Sequence, residues 1–572
     1  MTTPEALADD WLTVEPDAAM RRSIEAERHR PEWVQAHFGS VIRFGTAGMR
    51  ATWGPGPARM NRVMARVAAR AVGAELVASG LGDRGAVVGF DARPGSAEMA
   101  FDAARLLAGM GIPAAIIDGA APTPLLARQL LARSAGAGLM VTASHNPRDD
   151  NGLKVYWSDG TQIRPPLDRR IEDRMDLSSL PDDRDLVARH EVEMLDVRAA
   201  IAEYVGAAVR RPAVDPDGRP PDAGNVPPIV YTALCGVGSQ TLNHAFATAG
   251  LPPPIYVEHQ RHPDGSFPGL PFPNPEEPGT LDDAIALAEH RDVDLVLAND
   301  PDADRLAVAV RDQAGSWHRL SGDELGVLLC DWLIELQRDR LPAKPLISAS
   351  SVVSGRMVEA LCAARGVAHH RTLTGFKWIM EPRLSQPDAR WVFGYEEALG
   401  YSVTDAVLDK DGISAAVEFA RLASTLAARG IGPLERLDEL AAEVGLHVTA
   451  AMSVRAGNEE IAAAMARARA HPPRTIAGRS IVKFTDWLDG DAAQRADLIE
   501  LELAPTTTDG PGDEPEARLR ICIRPSGTEP KAKIYLEATM PHPGDVSTER
   551  RRLQALLDAT AEQTVALFFS PE

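Results

Sequence analysis

Ser144 and His145 follow the apolar run GLMVTA in the stretch VTASHNPRDDNGLKVY, residues 141–156. The run reads as a buried strand, so the pair stands at a strand end. A serine hydroxyl is a weak nucleophile and needs a base, a metal or prior phosphorylation to take part in chemistry. His145 and Lys154 are candidates for proton transfer and charge neutralisation; the bland alternative is an exposed Ser-His pair without a role. In ANDPDADRLAVAV, Asp300, Asp302 and Asp304 alternate between two apolar strands. Three carboxylates so spaced repel one another without a cation, and hard oxygen ligands suit Mg²⁺. A calcium loop of the EF-hand type is excluded, because Arg305 and Arg311 stand where its glycine and glutamate belong.

Two further loops carry recognition chemistry. In FGYEEALGY, Glu396 and Glu397 lie just beyond an apolar strand, where they can accept hydrogen bonds from sugar hydroxyls or cap the next element. RPSGTEPK, Arg524 to Lys531, offers a guanidinium fork, two hydroxyls and open backbone N–H groups between two strands. That is a phosphate cradle, or a plain hairpin turn. Taken together, a serine able to carry phosphate, a carboxylate cage, sugar-facing glutamates and a phosphate clamp form a phosphoryl-transfer set.

The elements that position these loops repeat. AVVGFDARPGS, a helical MAFDAARLLAGMG and the strand IPAAIID form one unit. PPIVYTALCGVGSQTLNHAFATAG with PPPIYV, and PLISASSVVSGRMVEALCAARG with VAHHRTL, have the same plan. In each, a β-branched run meets a Gly/Ser turn, a helix follows, Gly111, Gly250 or Gly366 ends it, and a second strand returns. The C-terminal part reads as a strand, a helix, a hairpin and a closing helix, hence a separate α+β domain. The expected fold is therefore α/β: three similar α/β domains with mixed sheets plus a C-terminal α+β domain, with the active site in the central cleft. Expected limits are 1–208, 209–320, 321–445 and 446–572. RRPAVDPDGRPPDAGNVPP is the expected linker, and HPDGSFPGLPFPNPEEPG an expected surface loop.

Composition narrows the function classes. At 572 residues the chain exceeds one hydrophobic core, and 45% hydrophobic with 25% charged residues is an ordinary globular balance. A formal net charge of -21 argues against nucleic acid, which is held by clustered Lys and Arg. Cys235, Cys330, Cys362 and Cys522 form no C-x-x-C pair, so buried thiols in a reducing cytosol are expected. No leader or membrane-spanning run is read from the sequence, and a cytoplasmic location follows as an expectation.

In order and kind, TASHNP with NGLKV, DPDADR, GYEEALGY and RPSGTEPK resemble the α-D-phosphohexomutase superfamily of phosphoglucomutases and phosphomannomutases. RFGTAGMRATWGPGPARMN, GFDARP and TGFKWI match too, and the N-terminal lead-in is similar to the phosphoglucomutase-2-like branch, which includes phosphopentomutases. The resemblance implies an isomerase that interconverts hexose 1-phosphate and hexose 6-phosphate, glucose or mannose, through a phosphoserine enzyme and a sugar bisphosphate. It implies that Ser144 carries the phosphoryl group and that Asp300, Asp302 and Asp304 bind Mg²⁺ together with a phosphoserine oxygen. His145 and Lys154 would assist proton transfer and neutralise charge, with Arg50 and Arg305 nearby. Glu396 would contact sugar hydroxyls, Lys377 would serve the sugar-phosphate site, and Arg524, Ser526, Gly527 and Thr528 would grip the phosphate that does not react. The implied partners are a sugar phosphate and an activating sugar bisphosphate, without nucleic acid or membrane.

Ala398 stands where many hexose enzymes have a serine, which removes a hydroxyl contact and leaves the sugar open. A phosphopentomutase acting on ribose or deoxyribose phosphates is the near rival. An aspartyl phosphatase using Asp300, or a non-catalytic sugar-phosphate-binding protein, is the rival of another class.

Overall fold

The computed structural model describes residues 3–45, 48–209, 226–338, 344–490, 495–505, 517–526 and 531–569. The expected linker falls largely on 210–225, outside the described residues. The chain divides into two compact units, Met1–Arg319 with Leu399–Ala427, and Leu320–Ala398 with Ala428–Glu572.

The first unit holds two sheets. Strands Met49–Thr52 (β1), Ala86–Phe90 (β2), Ala114–Asp118 (β3), Ala137–Val141 (β4), Asp150–Trp157 (β5) and Glu193–Asp196 (β6) form one sheet in the order β1-β5-β4-β2-β3-β6. Its central pairs β4/β2 and β2/β3 are parallel, while β5 runs antiparallel to β4 and β1. β2 and β4 are buried along their whole length, as the unbroken apolar runs require. Strands Val230–Thr232 (β7), Ile255–Tyr256 (β8), Leu295–Asn299 (β9), Leu306–Arg311 (β10) and Trp317–Arg319 (β11) form the second sheet, ordered β11-β10-β9-β7-β8. Three N-terminal helices, Pro4–Val14, Ala18–Glu27 and Pro31–Phe38, bury Trp11, Ile24 and Phe38 against Val63 and Met64 of the helix Arg62–Ala78.

The second unit repeats the plan once more: Leu346–Ser351 (β12) pairs in parallel with Ala368–Thr372 (β13) on one side and Arg390–Glu396 (β14) on the other. The chain then returns to the first unit, where Gly400 of the strand Gly400–Ser402 (β15) bridges Arg305. All three repeats share one register logic, strand, helix, parallel strand, and Gly111, Gly250 and Gly366 sit after the three helices at φ 79°, 73° and 72°. Only a residue without Cβ takes that left-handed conformation at little cost, which is why glycine marks each helix end.

The C-terminal part of the second unit is a sheet of Leu446–Arg455 (β16), Thr475–Ile476 (β17), Arg479–Asp486 (β18), Ile499–Leu503 (β19), Arg518–Pro525 (β20) and Lys531–Met540 (β21). Its order is β16-β21-β20-β19-β18-β17 and every pairing is antiparallel. The helix Val546–Phe569 closes it. The four cysteines are free and buried. Among the described residues no helix is long and apolar enough to cross a membrane.

One expectation fails. The proline-dense segment after residue 261 is not a loop lying free on the surface: Phe267, Leu270 and Asn274 are buried within it. Its prolines preclude regular structure but not packing, and its apolar side chains are what it buries.

Candidate active site

The loop after β4 presents Ser144 in left-handed backbone, at φ 51°, a sparsely populated region for a residue with a Cβ. Such strain persists where the surroundings determine it. Here a polar chain does so: Asp91 accepts from the Thr142 hydroxyl at 2.7 Å, and the Thr142 oxygen accepts from the Ser144 amide at 2.9 Å. The Ser144 hydroxyl donates to Asp300 Oδ2 at 2.8 Å and lies 3.1 Å from His145 Nδ1. Ser144 is buried, its hydroxyl turned inward onto the aspartate loop, which does not match the bland alternative of an exposed Ser-His pair.

That loop, Asp300 to Asp304, joins β9 to β10 and turns through Ala303 at φ 55°. A turn from the second repeat supports it from behind. The amide of Val237 donates to Pro301 O at 2.9 Å, and a Cβ on Gly236 would stand 2.4 Å from Pro301 Cα, so glycine is required by close approach. The three carboxylates are fully buried and their oxygens lie within 4.8 Å of one another. Lys154 Nζ donates to Asp302 Oδ2 and Asp304 Oδ2, each at 2.6 Å, and Lys410 Nζ lies 3.3 Å from Asp304 Oδ2. Thr123, at the start of the helix Thr123–Ala132, donates its hydroxyl to Asp302 Oδ2 at 2.7 Å.

Burial, together with Asp302 and Asp304, pushes the Asp300 carboxyl well above the usual carboxylate range. Burial opposes charge on Lys154, but Asp302 and Asp304 outweigh it and raise its pKa, so it stays an ammonium. Among the described residues, Asp302 Oδ1 and Asp304 Oδ1 are buried without a hydrogen-bond partner. Orphaned carboxylate oxygens beside a third, destabilised carboxylate are the donor set that a hard cation takes. Asp300, Asp302 and Asp304 therefore form a cluster able to hold a metal ion.

Arg50 on β1 donates to Asn146 Oδ1 at 2.9 Å, its register fixed by pairing with Gly152 on β5. The Arg305 amide donates to Asp300 Oδ1 at 3.0 Å, and its side chain lies 3.3 Å from Glu276. Ser144, His145, Lys154, Arg50, Arg305 and the three aspartates are thus brought together within the first unit. Sequence reasoning missed Lys410, Thr123 and Arg93. The signal for Lys410 was the charged run DKD, 409–411, beside an apolar helix; its residues prove buried.

In the second unit Glu396 ends β14 and is buried. Glu397 accepts from the hydroxyls of Ser351 and Ser354 at 3.0 and 3.1 Å, which ties it to the turn after β12. Lys377 is buried on the short helix Phe376–Ile379. Arg524 lies at the end of β20 and Ser526 just beyond it, where the Ser526 amide donates to Lys531 O at 2.8 Å at the start of the antiparallel strand β21. Burial works against charge on Arg524, but Tyr535, Glu397 and Glu396 raise its pKa. Gly527 and Thr528 lie outside the described residues.

Three α/β/α domain families of phosphoglucomutase/phosphomannomutase match the chain, domain I over residues 41–180, domain II over 212–315 and domain III over 321–444. A Haemophilus influenzae protein named "Probable phosphomannomutase" is 37% identical over 493 residues, covering 85% of this chain and 94% of its own. The "Phosphopentomutase" of Homo sapiens is 34% identical over 591 residues, covering 98% and 94%. A crystal structure of a phosphoglucomutase/phosphomannomutase family protein from Burkholderia thailandensis superposes with a TM-score of 0.64 at 19% identity, over 92% of this chain and 98% of that one. That likeness concerns the fold. The chain belongs to the phosphoglucomutase/phosphomannomutase family of the α-D-phosphohexomutase superfamily, and is a phosphomutase of the isomerase class.

Proposed function

We propose that this enzyme interconverts hexose 1-phosphate and hexose 6-phosphate, of glucose or mannose, by way of a phosphate carried on Ser144 and a sugar bisphosphate. The observation that carries the reading is the 2.8 Å contact of the Ser144 hydroxyl with Asp300 inside a buried cluster of three carboxylates able to hold a metal ion. Mg²⁺ fits the hard carboxylate oxygens of Asp300, Asp302 and Asp304, of which Asp302 Oδ1 and Asp304 Oδ1 have no hydrogen-bond partner among the described residues; bound there it would neutralise charge on the transferring phosphoryl group. In the forward step the Ser144 Oγ–P bond breaks while a bond forms from phosphorus to a sugar hydroxyl oxygen. His145, 3.1 Å from Ser144 Oγ, is placed to hold the proton that the serine needs and the sugar loses. The return step runs the same exchange from the other end of the bisphosphate.

Lys154, committed to two carboxylates, serves charge balance; Arg50 and Arg305 add positive charge near the loop. Such transfer depends mainly on position and charge stabilisation, which these groups supply. Sugar and phosphate recognition is assigned to Glu396, Lys377, Arg524, Ser526, Gly527 and Thr528, with Glu397 as the residue that sets the turn. The same reading divides the chain into domains 1–208, 209–320, 321–445 and 446–572 and places it in the cytoplasm.

Pentose phosphates are the second reading, favoured by Ala398 in the sugar loop and by the 34% identity to the human "Phosphopentomutase" across 98% of the chain. Parallel kcat/KM measurements on glucose 1-phosphate, mannose 1-phosphate and ribose 1-phosphate decide between them. A ribose value above both hexose values by tenfold or more, ~1.4 kcal/mol of transition-state preference, replaces the hexose reading.

A further inference from the structure

Behind the Ser144 loop lies Arg93, in the turn after β2, its side chain wholly withdrawn from solvent. One nitrogen, Nη1, donates to Pro147 O at 2.8 Å and Asp150 O at 2.9 Å; the other, Nη2, donates to Ser144 O and Asn146 O, both at 2.6 Å. The carbonyls of the serine loop therefore converge on a single guanidinium, and the loop's shape is the shape of that fork. The aromatic ring of Phe267 covers this guanidinium, with Arg93 Cζ 4.9 Å from the ring centroid.

Phe267 belongs to the proline-dense segment of the second repeat. It is 1% exposed and sits in left-handed backbone at φ 45°, a costly conformation for a bulky side chain. Local bonds hold it there: its amide donates to Asp264 O at 3.0 Å, and Asp264 N donates to Cys235 O at 2.8 Å. The segment also touches the turn that carries Arg93 and the serine loop itself. A Cβ on Gly265 would stand 2.2 Å from Ala92 O, so the two backbones are in direct contact. Arg148 N donates to Pro271 O at 3.3 Å, and the Phe272 ring lies 6.5 Å from that of His145.

We propose that residues 264–272 are a clasp that fixes the Ser144 loop through the Phe267–Arg93 stack, and so decides whether a phosphoryl group on Ser144 passes to a sugar hydroxyl or to water. This rests on the reading that Ser144 carries phosphate. Arg93 and Phe267 are positioning residues, since their contacts are with the loop and with each other. The competing reaction breaks the Ser144 Oγ–P bond, forms a bond from phosphorus to a water oxygen, and releases inorganic phosphate with the serine hydroxyl restored. In-line attack has strict geometric demands, so a loop that wanders loses the sugar acceptor and admits water.

The test uses the full-length enzyme charged with glucose 1,6-bisphosphate in the presence of Mg²⁺ and then freed of sugar. Intact mass follows the loss of phosphate from Ser144, and the same preparations give kcat and KM for the sugar phosphate that the enzyme turns over best. Phe267→Leu, which fills space without a ring face, and Arg93→Lys, which keeps charge without a fork, are both expected to lose phosphate to water about tenfold faster. Their kcat should fall about tenfold with KM within about twofold of wild type, a split that general loosening of the fold does not give. Phe267→Ala should be more severe, and if it does not fold the two milder variants still decide. Wild-type phosphate loss and kcat in folded Phe267→Leu and Arg93→Lys overturn the clasp alone. Failure of the wild-type enzyme to take phosphate on Ser144 overturns the clasp together with the reading beneath it.

Discussion

Lys154 Nζ lies 2.6 Å from Asp302 Oδ2, across 148 positions of sequence, and both side chains are withdrawn from solvent. The pair joins the strand that follows the serine loop to the loop that would hold the metal. Removing one member of a buried pair leaves the other uncompensated, at a cost of roughly 3–5 kcal/mol. Lys154→Met is therefore expected to lose about that much stability in chelator and to regain part of it in Mg²⁺, because the cation would replace the lost ammonium. Denaturant unfolding with and without Mg²⁺ measures this. Equal stability of variant and wild type in chelator would show that Lys154 is dispensable for charge balance. The wild-type rate should collapse on exhaustive chelation, and Asp302→Asn should weaken Mg²⁺ binding strongly.

Ser144→Ala is expected to abolish mutase turnover while the protein stays folded. The buried hydroxyl donates to Asp300, and leaving a buried acceptor without its partner costs roughly 1–3 kcal/mol, an amount a domain of ordinary stability can absorb. Turnover and thermal unfolding on one preparation separate the two effects. Substantial turnover by the well-folded variant would remove the phosphoserine from the mechanism.

Much of the fold was legible because the repeats carry strong local marks: apolar strand runs, a helix, then Gly111, Gly250 or Gly366 at left-handed φ. The aspartate loop was legible for a related reason, since alternating carboxylates between two buried strands have few structural uses. What stayed hidden depends on contacts far apart in sequence. Nothing near Lys410 says that it meets Asp304, and nothing near Phe267 says that it covers Arg93. The proline-dense segment looked like surface because its composition forbids helix and strand, yet composition does not say what lies beneath. The inward turn of Ser144 was likewise invisible, since it follows from Thr142 and Asp91 acting through the Ser144 amide.

Asp323 predicts a pH dependence in the second unit. Burial pushes its pKa from an ordinary 3.8 up to about 6, although the Gly355 amide donates to it at 2.7 Å. The folded protein thus holds this proton more tightly than the unfolded chain, and the contribution to stability falls as pH rises from about 4 to about 6. A two-unit shift corresponds to about 3 kcal/mol at most. Asp323→Asn carries no such charge, so its stability relative to wild type should improve by about 2–3 kcal/mol between pH 4 and pH 7. Urea unfolding of both proteins across that range is the measurement. A difference that does not change with pH would mean that Asp323 ionises freely in the folded state.

Arg524 separates a mutase from a simple phosphatase. A mutase must bind its substrate in two orientations, so the phosphate that does not react meets the same clamp whichever end of the sugar carries it. Arg524 is the side chain of the RPSGTEP segment able to make a bidentate charged contact with a phosphate. Its Nε is buried and, among the described residues, has no hydrogen-bond partner, so the guanidinium has donor capacity to spare. Arg524→Ala should therefore raise KM for the 1-phosphate and the 6-phosphate sugar alike, by roughly tenfold or more given the ~1.5–3 kcal/mol of a charged hydrogen bond. Escape of the bisphosphate should increase as well, so the variant will need more added bisphosphate to sustain turnover. Mg²⁺ binding should hardly change, because the aspartate cluster lies in the other unit. Both KM values and the bisphosphate requirement are measurable in one coupled assay. Unchanged KM for both sugars, with no new bisphosphate requirement, would make the segment an ordinary hairpin turn and place the second phosphate elsewhere.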